Sequence, residues 1–537
     1  MAARTWLAVI LACLVWFTYV QWFAPPMPQR TSPQGATSTM QSATPGVPSA
    51  PQTASDSVLT QGLKQVATHT VNTQRYQVQL SSVGGKISDV ALKDYQETIR
   101  RDSPEIRTVK ADGYPLALAT LFTDPSLQGF TAGEYSGSET SGKYVFSREE
   151  KTAKLTKEYD FSLGGYSIGS RYKITFLEEN RTDWGFVLIP VGASAPEVDH
   201  KDPLKSWEVV AFQNESLTRK AIDSLAEGET VQQGNTQWVG YGNRYFATVL
   251  VNESALNPDI VFVHKGDFRG AYLRFPLQLK AGQKEIDLSV KIYSGPKEMS
   301  ELSKVTGLRR LIDYGTFSFL AFPMLQLLQF FYKFIHNYGI AIILLTIVVR
   351  ALLYPLSVKG SRSMKAMQKL QPQIQALKEK YKDAADMQRF NQEQMALFKA
   401  HNVNPLGGCF PMLIQLPVFI ALYQLLGNSI ELFHAPFLGW VQDLSSKDPY
   451  YVYPVLMGIA MFVQQRMTPM AGMDPMQQKM MMLMPVIFSF MMVSLPSGLT
   501  LYIFVSTILG IVQQMLINRE TKEPSAQLVS APSPDTK

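Results

Sequence analysis

Three textures of apolar and polar positions follow one another along the chain. Residues 6–23 form an almost unbroken apolar run, interrupted by Thr18 and Gln21 and preceded by Arg4 and the α-amino group. Such a run predicts a membrane helix whose positive end stays in the cytoplasm, sending the chain outward after Phe23. A cleaved signal peptide requires small residues before the cut, whereas Trp22-Phe23-Ala24 is bulky, so the run reads as a retained anchor. The second texture fills residues 58–297. Short alternating runs such as YQVQL (76–80), YKITF (172–176) and WEVVAF (207–212), with others at 244–251 and 286–293, are punctuated by Gly, Asn and Asp. A period of two, rich in β-branched and aromatic residues, predicts half-buried strands. So many of them predict a large all-β sandwich outside the membrane. Gly84-Gly85 and Gly164-Gly165 read as turn glycines within it.

The third texture is helical. Met299, Leu302, Val305 and Leu308–Leu311 make an approximate apolar stripe over 298–312. Residues 317–335 are strongly apolar but contain Pro323 and end near Lys333 and His336. We expect this segment to lie on the outer leaflet, completing a linking and interfacial region at 298–336. Five later apolar stretches follow, at 338–356, 409–426, 450–465, 480–495 and 499–517. Several are at or below the ~20 residues that cross a ~30 Å hydrocarbon core, which suggests local membrane thinning. With the anchor, this gives a multi-domain membrane protein of six transmembrane helices.

Charge fixes the orientation. The segment between Leu356 and Cys409 holds nine Lys/Arg against four Asp/Glu, which places it in the cytoplasm. The 428–449 loop carries Glu431, Asp443 and Asp448 against Lys447 and belongs outside. Arg466 and Lys479 flank the next loop, on the inside, and Pro496-Ser497-Gly498 is a tight outer turn. Both termini are then cytoplasmic and the β domain is periplasmic. Residues 24–57 hold seven prolines and only Arg30 and Asp56 as charges, the composition of a flexible tether.

Composition narrows the function. Of the 537 residues, 46% are apolar and 18% charged, and the net charge is +6. No dense basic tract exists, which argues against nucleic-acid recognition. Cys13 and Cys409 both lie in apolar runs, so neither a disulfide framework nor a cysteine metal site is expected. Ile10-Leu11-Ala12-Cys13 has the outline of a lipoprotein cleavage site, but the apolar run continues past it, as for a thiol buried in a helix. The six histidines are scattered, and no nucleophile elbow or phosphate-binding glycine loop is present. The chain therefore reads as a non-enzyme without a cofactor.

Two features then carry the functional reading. Arg350 interrupts the 338–356 span, some ~8 Å inside its cytoplasmic edge by helical rise. None of the five later spans contains Asp or Glu. A charge at that depth must snorkel, pair or face water. We expect a water-filled cavity open to the cytoplasm, with Gln415, Gln424, Gln464, Gln465, Gln513 and Gln514 as polar lining. Thr346 lies one turn before Arg350 on the same face. The second feature is the cytoplasmic segment 359–400. Leu370, Ile374, Leu377 and Tyr381 are spaced four, three and four, and Phe390, Gln394, Leu397 and His401 repeat the pattern. With Asp383-Ala384-Ala385-Asp386 as the turn, it predicts an antiparallel helical hairpin. Twelve of the 23 methionines fall between Met457 and Met492, a flexible apolar surface suited either to lipid or to varied partners. An ion-coupled transporter or flippase with a periplasmic receptor domain is the alternative, but such proteins usually keep acidic residues in the membrane. A scaffold without transfer activity is a third possibility.

The stretches IVVRALLYPL (347–356), NPLGGCFPMLIQLP (404–417), DPYYVYPVLMG (448–458), DPMQQKMM (474–481) and PSGLTLYIFVS (496–506) closely resemble the YidC/Oxa/Alb family of membrane protein insertases in its Gram-negative form, in order and in loop length. The resemblance implies a periplasmic β-supersandwich and a five-helix insertase core at 337–517, followed by a tail at 518–537. It implies insertion and folding of nascent inner-membrane proteins, alone or with the Sec translocon, in contact with membrane lipids. The ribosome is a further candidate partner, although the tail carries no strong basic extension. The family's groove arginine and threonine fall on Arg350 and Thr346. Tyr502 matches one member of its tyrosine pair, and Ile503 occupies the other position. The hairpin, with Gln371, Ile374, Leu377, Tyr381, Phe390 and Leu397, matches its substrate-recruiting element.

Overall fold

A computed structural model describes residues 67–110, 118–178, 181–194, 196–200, 202–381, 387–401, 403, 410–467 and 475–520. The expected anchor, the tether, the hairpin turn and most of the tail lie outside the described residues. The chain divides between Ile312 and Asp313 into two units.

The first unit is built almost entirely of antiparallel strands in three sheets. The largest has nine strands. It runs from Ser216–Ala221 at one edge through Glu208–Gln213, Thr236–Gly242, Phe246–Asn252, Glu285–Pro296, Ser167–Phe176, Ala153–Asp160 and Lys143–Glu149 to Ser136–Thr140. A five-stranded sheet centred on Phe268–Gln278 packs on one part of it, and a four-stranded sheet of residues 68–109 on another. Each alternating run read from the sequence is a strand here; burial alternates along some of them, whereas Glu208–Gln213 and Phe246–Asn252 are buried at almost every position. Along Ala153–Asp160, residues Ala153, Leu155, Lys157 and Tyr159 are buried while Lys154 is exposed. Trp238, Leu250 and Ile292 are fully buried. Burying an aliphatic side chain of this size contributes about 2 kcal/mol.

The Gly84-Gly85 turn shows why glycine is needed there. Both residues have positive φ (77° and 51°), and a Cβ on Gly84 would stand 2.8 Å from the Thr131 carbonyl oxygen. Two inward side chains of the large sheet hold this turn. Lys157 Nζ donates to Gly84 O at 2.5 Å and Tyr159 Oη to Gly85 O at 3.0 Å.

The 298–312 segment differs from the helical expectation. Only Met299–Leu302 and Leu308–Leu311 are helical, the second a short 3-10 turn. Gly307 breaks the pattern at φ 80°. The expected apolar stripe is nevertheless used, because Leu302, Val305, Leu308 and Leu311 are all buried. The segment belongs to the β unit, where Arg219 Nη2 donates to the carbonyls of Arg310 (3.0 Å) and Leu311 (2.7 Å).

The second unit is helical. Its helices are α1 (Ser318–Ile335), α2 (Tyr338–Lys369), α3 (Gln371–Lys380), α4 (Met387–Ala400), α5 (Phe410–Asn428), α6 (Val452–Met467), α7 (Pro475–Met492) and α8 (Ser497–Glu520). Among the described residues, three helical segments are long and apolar enough to cross a membrane: Gly315–Ile335, Tyr338–Lys369 and Ser497–Arg519. Lys479–Met492 is a shorter apolar helix. Helix α8 packs against α2, α5 and α6, while α7 packs on α6 and α1 on α2 and α5.

Helix α1 buries Ala321, Leu325 and Leu328 and exposes Phe319, Phe330 and Phe334. It ends at His336, in the left-handed conformation, and Asn337 caps α2 by accepting from Ile340 N. Helix α2 continues through Pro355 to Lys369, so the first part of the 359–400 segment prolongs the span. The 428–449 loop is anchored by carboxylates. Asp448, buried, accepts from Trp440 Nε1 (3.0 Å), Tyr450 N (3.1 Å) and Tyr453 N (2.7 Å).

Candidate functional site

Arg350 sits on α2 where that helix faces α8. Its side chain is half-buried, and Nε donates to Ser506 Oγ at 2.8 Å. Ser506 is buried and lies one turn after Tyr502 on α8. Tyr502 is also buried, and its hydroxyl accepts from Gln415 Nε2 at 3.1 Å. Gln415 thereby ties α5 to the same face of α8. One turn beyond Ser506, Gly510 lets a third helix approach. A Cβ there would stand 2.6 Å from Gln464 Nε2 on α6 and 3.6 Å from Arg350 Nη2. Side chains from α2, α5, α6 and α8 therefore converge within two turns of α8.

The other expected residues are placed less centrally. Thr346 is fully buried, and its hydroxyl donates to Ile342 O at 2.6 Å, so its proton is used inside its own helix. Gln513 is partly buried two turns beyond Ser506, and Gln514 donates to Asn518. Gln424 Oε1 and Gln465 Nε2 are buried without a hydrogen-bond partner among the described residues. No carboxylate joins the cluster: among the described residues the Arg350 guanidinium has one hydrogen-bond partner, and that partner is uncharged.

Ser506 was not singled out by sequence. A serine in an apolar helix ordinarily satisfies its hydroxyl on the preceding turn, so nothing local marks it. The available signal was its spacing of four from Tyr502, the helical neighbour relation that linked Thr346 to Arg350.

The hairpin forms a small core of its own. Leu370, Ile374, Phe398 and Val403 are buried together, with Ala366, Met367, Phe390 and Leu397 packed against them. Gln371 opens α3, and Leu377 is half-buried on it. Tyr381, at the end of α3, donates to Glu393 Oε1 on α4 at 2.5 Å, and Lys380 lies 3.5 Å from the same carboxylate. The remaining surface is mostly polar, with Met395 exposed on α4. No group of His, Cys, Asp or Glu among the described residues could hold a metal ion.

Two family models match the chain, one described as the YidC periplasmic domain over residues 68–327 and the other as the 60Kd inner membrane protein over 330–524. Proteins named membrane protein insertase YidC from Geobacter metallireducens and Geobacter sulfurreducens are each 35% identical to it, covering 98% of this chain and all of their own length. Among solved structures, a YidC insertase with its first transmembrane domain resolved aligns at 18% identity over 84% of this chain and 93% of its own, with a TM-score of 0.37. YidC from Thermotoga maritima aligns at 15% over 83% and 98%, with a TM-score of 0.30. A galactose mutarotase related enzyme from Lactobacillus acidophilus aligns at 10% over 42% of this chain and 97% of its own, with a TM-score of 0.30.

Proposed function

The chain belongs to the YidC family of membrane protein insertases, and from that premise we propose how this inner-membrane protein works: it passes the polar flank of a nascent membrane segment through a hydrated groove that opens to the cytoplasm beside Arg350. The observation that carries this reading is the Arg350 guanidinium, which lies within a long apolar helix and is bonded to an uncharged serine. An unpaired arginine in hydrocarbon is expensive, and water in a groove removes much of that cost. The groove shortens the apolar path for the flank, and Arg350 supplies a countercharge to acidic residues within it. The apolar part of the client then leaves sideways into lipid, where it gains hydrophobic energy. The membrane potential helps a negative flank outward by about 2.3 kcal/mol per charge per 100 mV. Every step is a transfer between environments, so no covalent chemistry is required.

In this reading the termini and the α3–α4 hairpin are cytoplasmic and the β unit is periplasmic. Helix α1 lies at the outer interface, its exposed Phe319, Phe330 and Phe334 dissolved among lipid chains. The hairpin offers its polar surface to arriving clients, and the Sec translocon is a partner for larger ones.

The test is a paired insertion assay in proteoliposomes. Two clients differing only in the charge of the translocated flank are presented to wild type, Arg350→Lys and Arg350→Ala at matched protein levels. Arg350→Ala is expected to reduce insertion of the acidic client by about tenfold, equivalent to ~1.4 kcal/mol, and to spare the neutral client. Arg350→Lys retains the charge and much of the activity. Equal insertion of both clients by all three proteins overturns the countercharge role. Labelling of a cysteine at position 350 by a water-soluble reagent from the cytoplasmic side tests the groove separately.

A further inference from the structure

We propose that Ser506 is a positioning residue that fixes Arg350 so that only the end of its guanidinium meets the client. The proposal rests on the groove reading above and specifies its geometry. A guanidinium can receive a carboxylate side-on, through Nε and one Nη, or end-on, through both Nη atoms. Here Nε is already committed to Ser506 Oγ at 2.8 Å. No hydrogen bond or ion pair occupies either Nη among the described residues. The side-on approach is therefore closed, and the end-on fork is the part left for an acidic flank.

Ser506 is suited to this task. It is buried, on a helix that packs directly against α2, so its position is set by the helix pair rather than by solvent. A hydroxyl accepts from Nε without neutralising the charge, whereas a carboxylate at that position would close an ion pair and remove the countercharge. Gly510 completes the seat. A Cβ there would stand 2.6 Å from the Gln464 amide nitrogen, which would have to shift, and 3.6 Å from Nη2, in ordinary contact with it. The stripe Tyr502, Ser506, Gly510 thus presents, turn by turn, an anchored hydroxyl, an acceptor for Nε and open backbone.

The experiment measures the ratio of acidic-flank to neutral-flank client insertion by the full-length protein in proteoliposomes. It compares wild type, Ser506→Ala, Ser506→Thr, Arg350→Ala and the double variant Ser506→Ala/Arg350→Ala. Ser506→Ala is expected to lower the ratio about fivefold, because an untethered side chain samples many rotamers and presents the fork less often. Ser506→Thr, which keeps the hydroxyl, restores the ratio. The double variant matches Arg350→Ala, since Ser506 acts only through Arg350. If Ser506→Ala keeps the wild-type ratio while Arg350→Ala abolishes it, the positioning role is overturned and the groove reading stands. Proportional loss of both clients in Ser506→Ala marks a purely structural serine and overturns it as well. An unchanged ratio in Arg350→Ala overturns the groove reading itself and this inference with it.

Discussion

Glu208 shows how a single charge is made acceptable inside the β unit. Its Oε1 accepts from Lys297 Nζ at 2.8 Å and from Arg219 Nη1 at 2.9 Å. Burial alone would raise its pKa, yet the two cations and their hydrogen bonds hold it below its ordinary 4.5. A depressed carboxylate pKa means that the folded state binds fewer protons than the unfolded chain near that value. Its stabilisation is complete above about pH 4.5 and is lost as pH falls through the lower folded value. Glu208→Gln should destabilise the β unit by about 3 kcal/mol at neutral pH, because Lys297 and Arg219 lose the carboxylate they share. It should also flatten the acid limb of the stability profile. Hydrogen exchange of the strand Glu208–Gln213 measured between pH 3 and 7 checks both; an acid limb as steep as wild type would count against the assignment. Lys86 acts at the other end of the scale. Burial lowers it to about 8, so its contribution is full above 10.5 and falls away as pH drops through 8.

At the level of elements, what the sequence made legible depended on whether the information was local. Period-two runs marked the strands because alternation is a property of consecutive residues, and each inward position of Ala153–Asp160 is buried as that pattern requires. Their division among three sheets was not legible, because pairings such as Ile168 with Ile292 join residues far apart in the chain. The 298–312 stripe was read correctly as apolar, yet Gly307 and the neighbouring sandwich override continuous helix. Arg350 and Gln415 stood out as polar groups in apolar spans and Tyr502 through the family resemblance, whereas Ser506 emerged only once α2 and α8 were packed. Gly307 also offers a test of the linking segment. Its φ is +80°, and a Cβ would stand 3.2 Å from Trp238 Nε1. Gly307→Ala should therefore lower stability by about 1–2 kcal/mol. Loosened contact should appear as faster exchange over Leu308–Leu311 and altered fluorescence of buried Trp238; wild-type behaviour in both would show that the segment tolerates a side chain.

For the whole molecule, the division at Ile312/Asp313 determines where the β unit can be removed. A cut at Pro296 follows the end of the last strand, but it leaves Leu302, Val305, Leu308 and Leu311 attached to the helices. These side chains are buried in the β unit and would be exposed without it. Each surrenders about 2 kcal/mol of burial, and together they form a sticky patch. A cut at Ile312 removes that patch with the sandwich. Because transfer in the proposed mechanism uses Arg350 and the helices around it, the sandwich is not required for the transfer step. Deletion of residues 67–312 should therefore retain insertion of a small client in cells depleted of the wild-type protein. Deletion of 67–296 should accumulate poorly or aggregate despite retaining more of the native chain. The comparison is made by measuring membrane protein level and client insertion for both deletions in parallel. Complete loss of insertion by the 67–312 deletion at normal protein level would place part of the transfer activity in the β unit and refute this division of labour. Equal behaviour of the two deletions would show instead that the 298–312 stripe finds other cover, and that the boundary drawn by packing in the intact protein does not govern the truncated one.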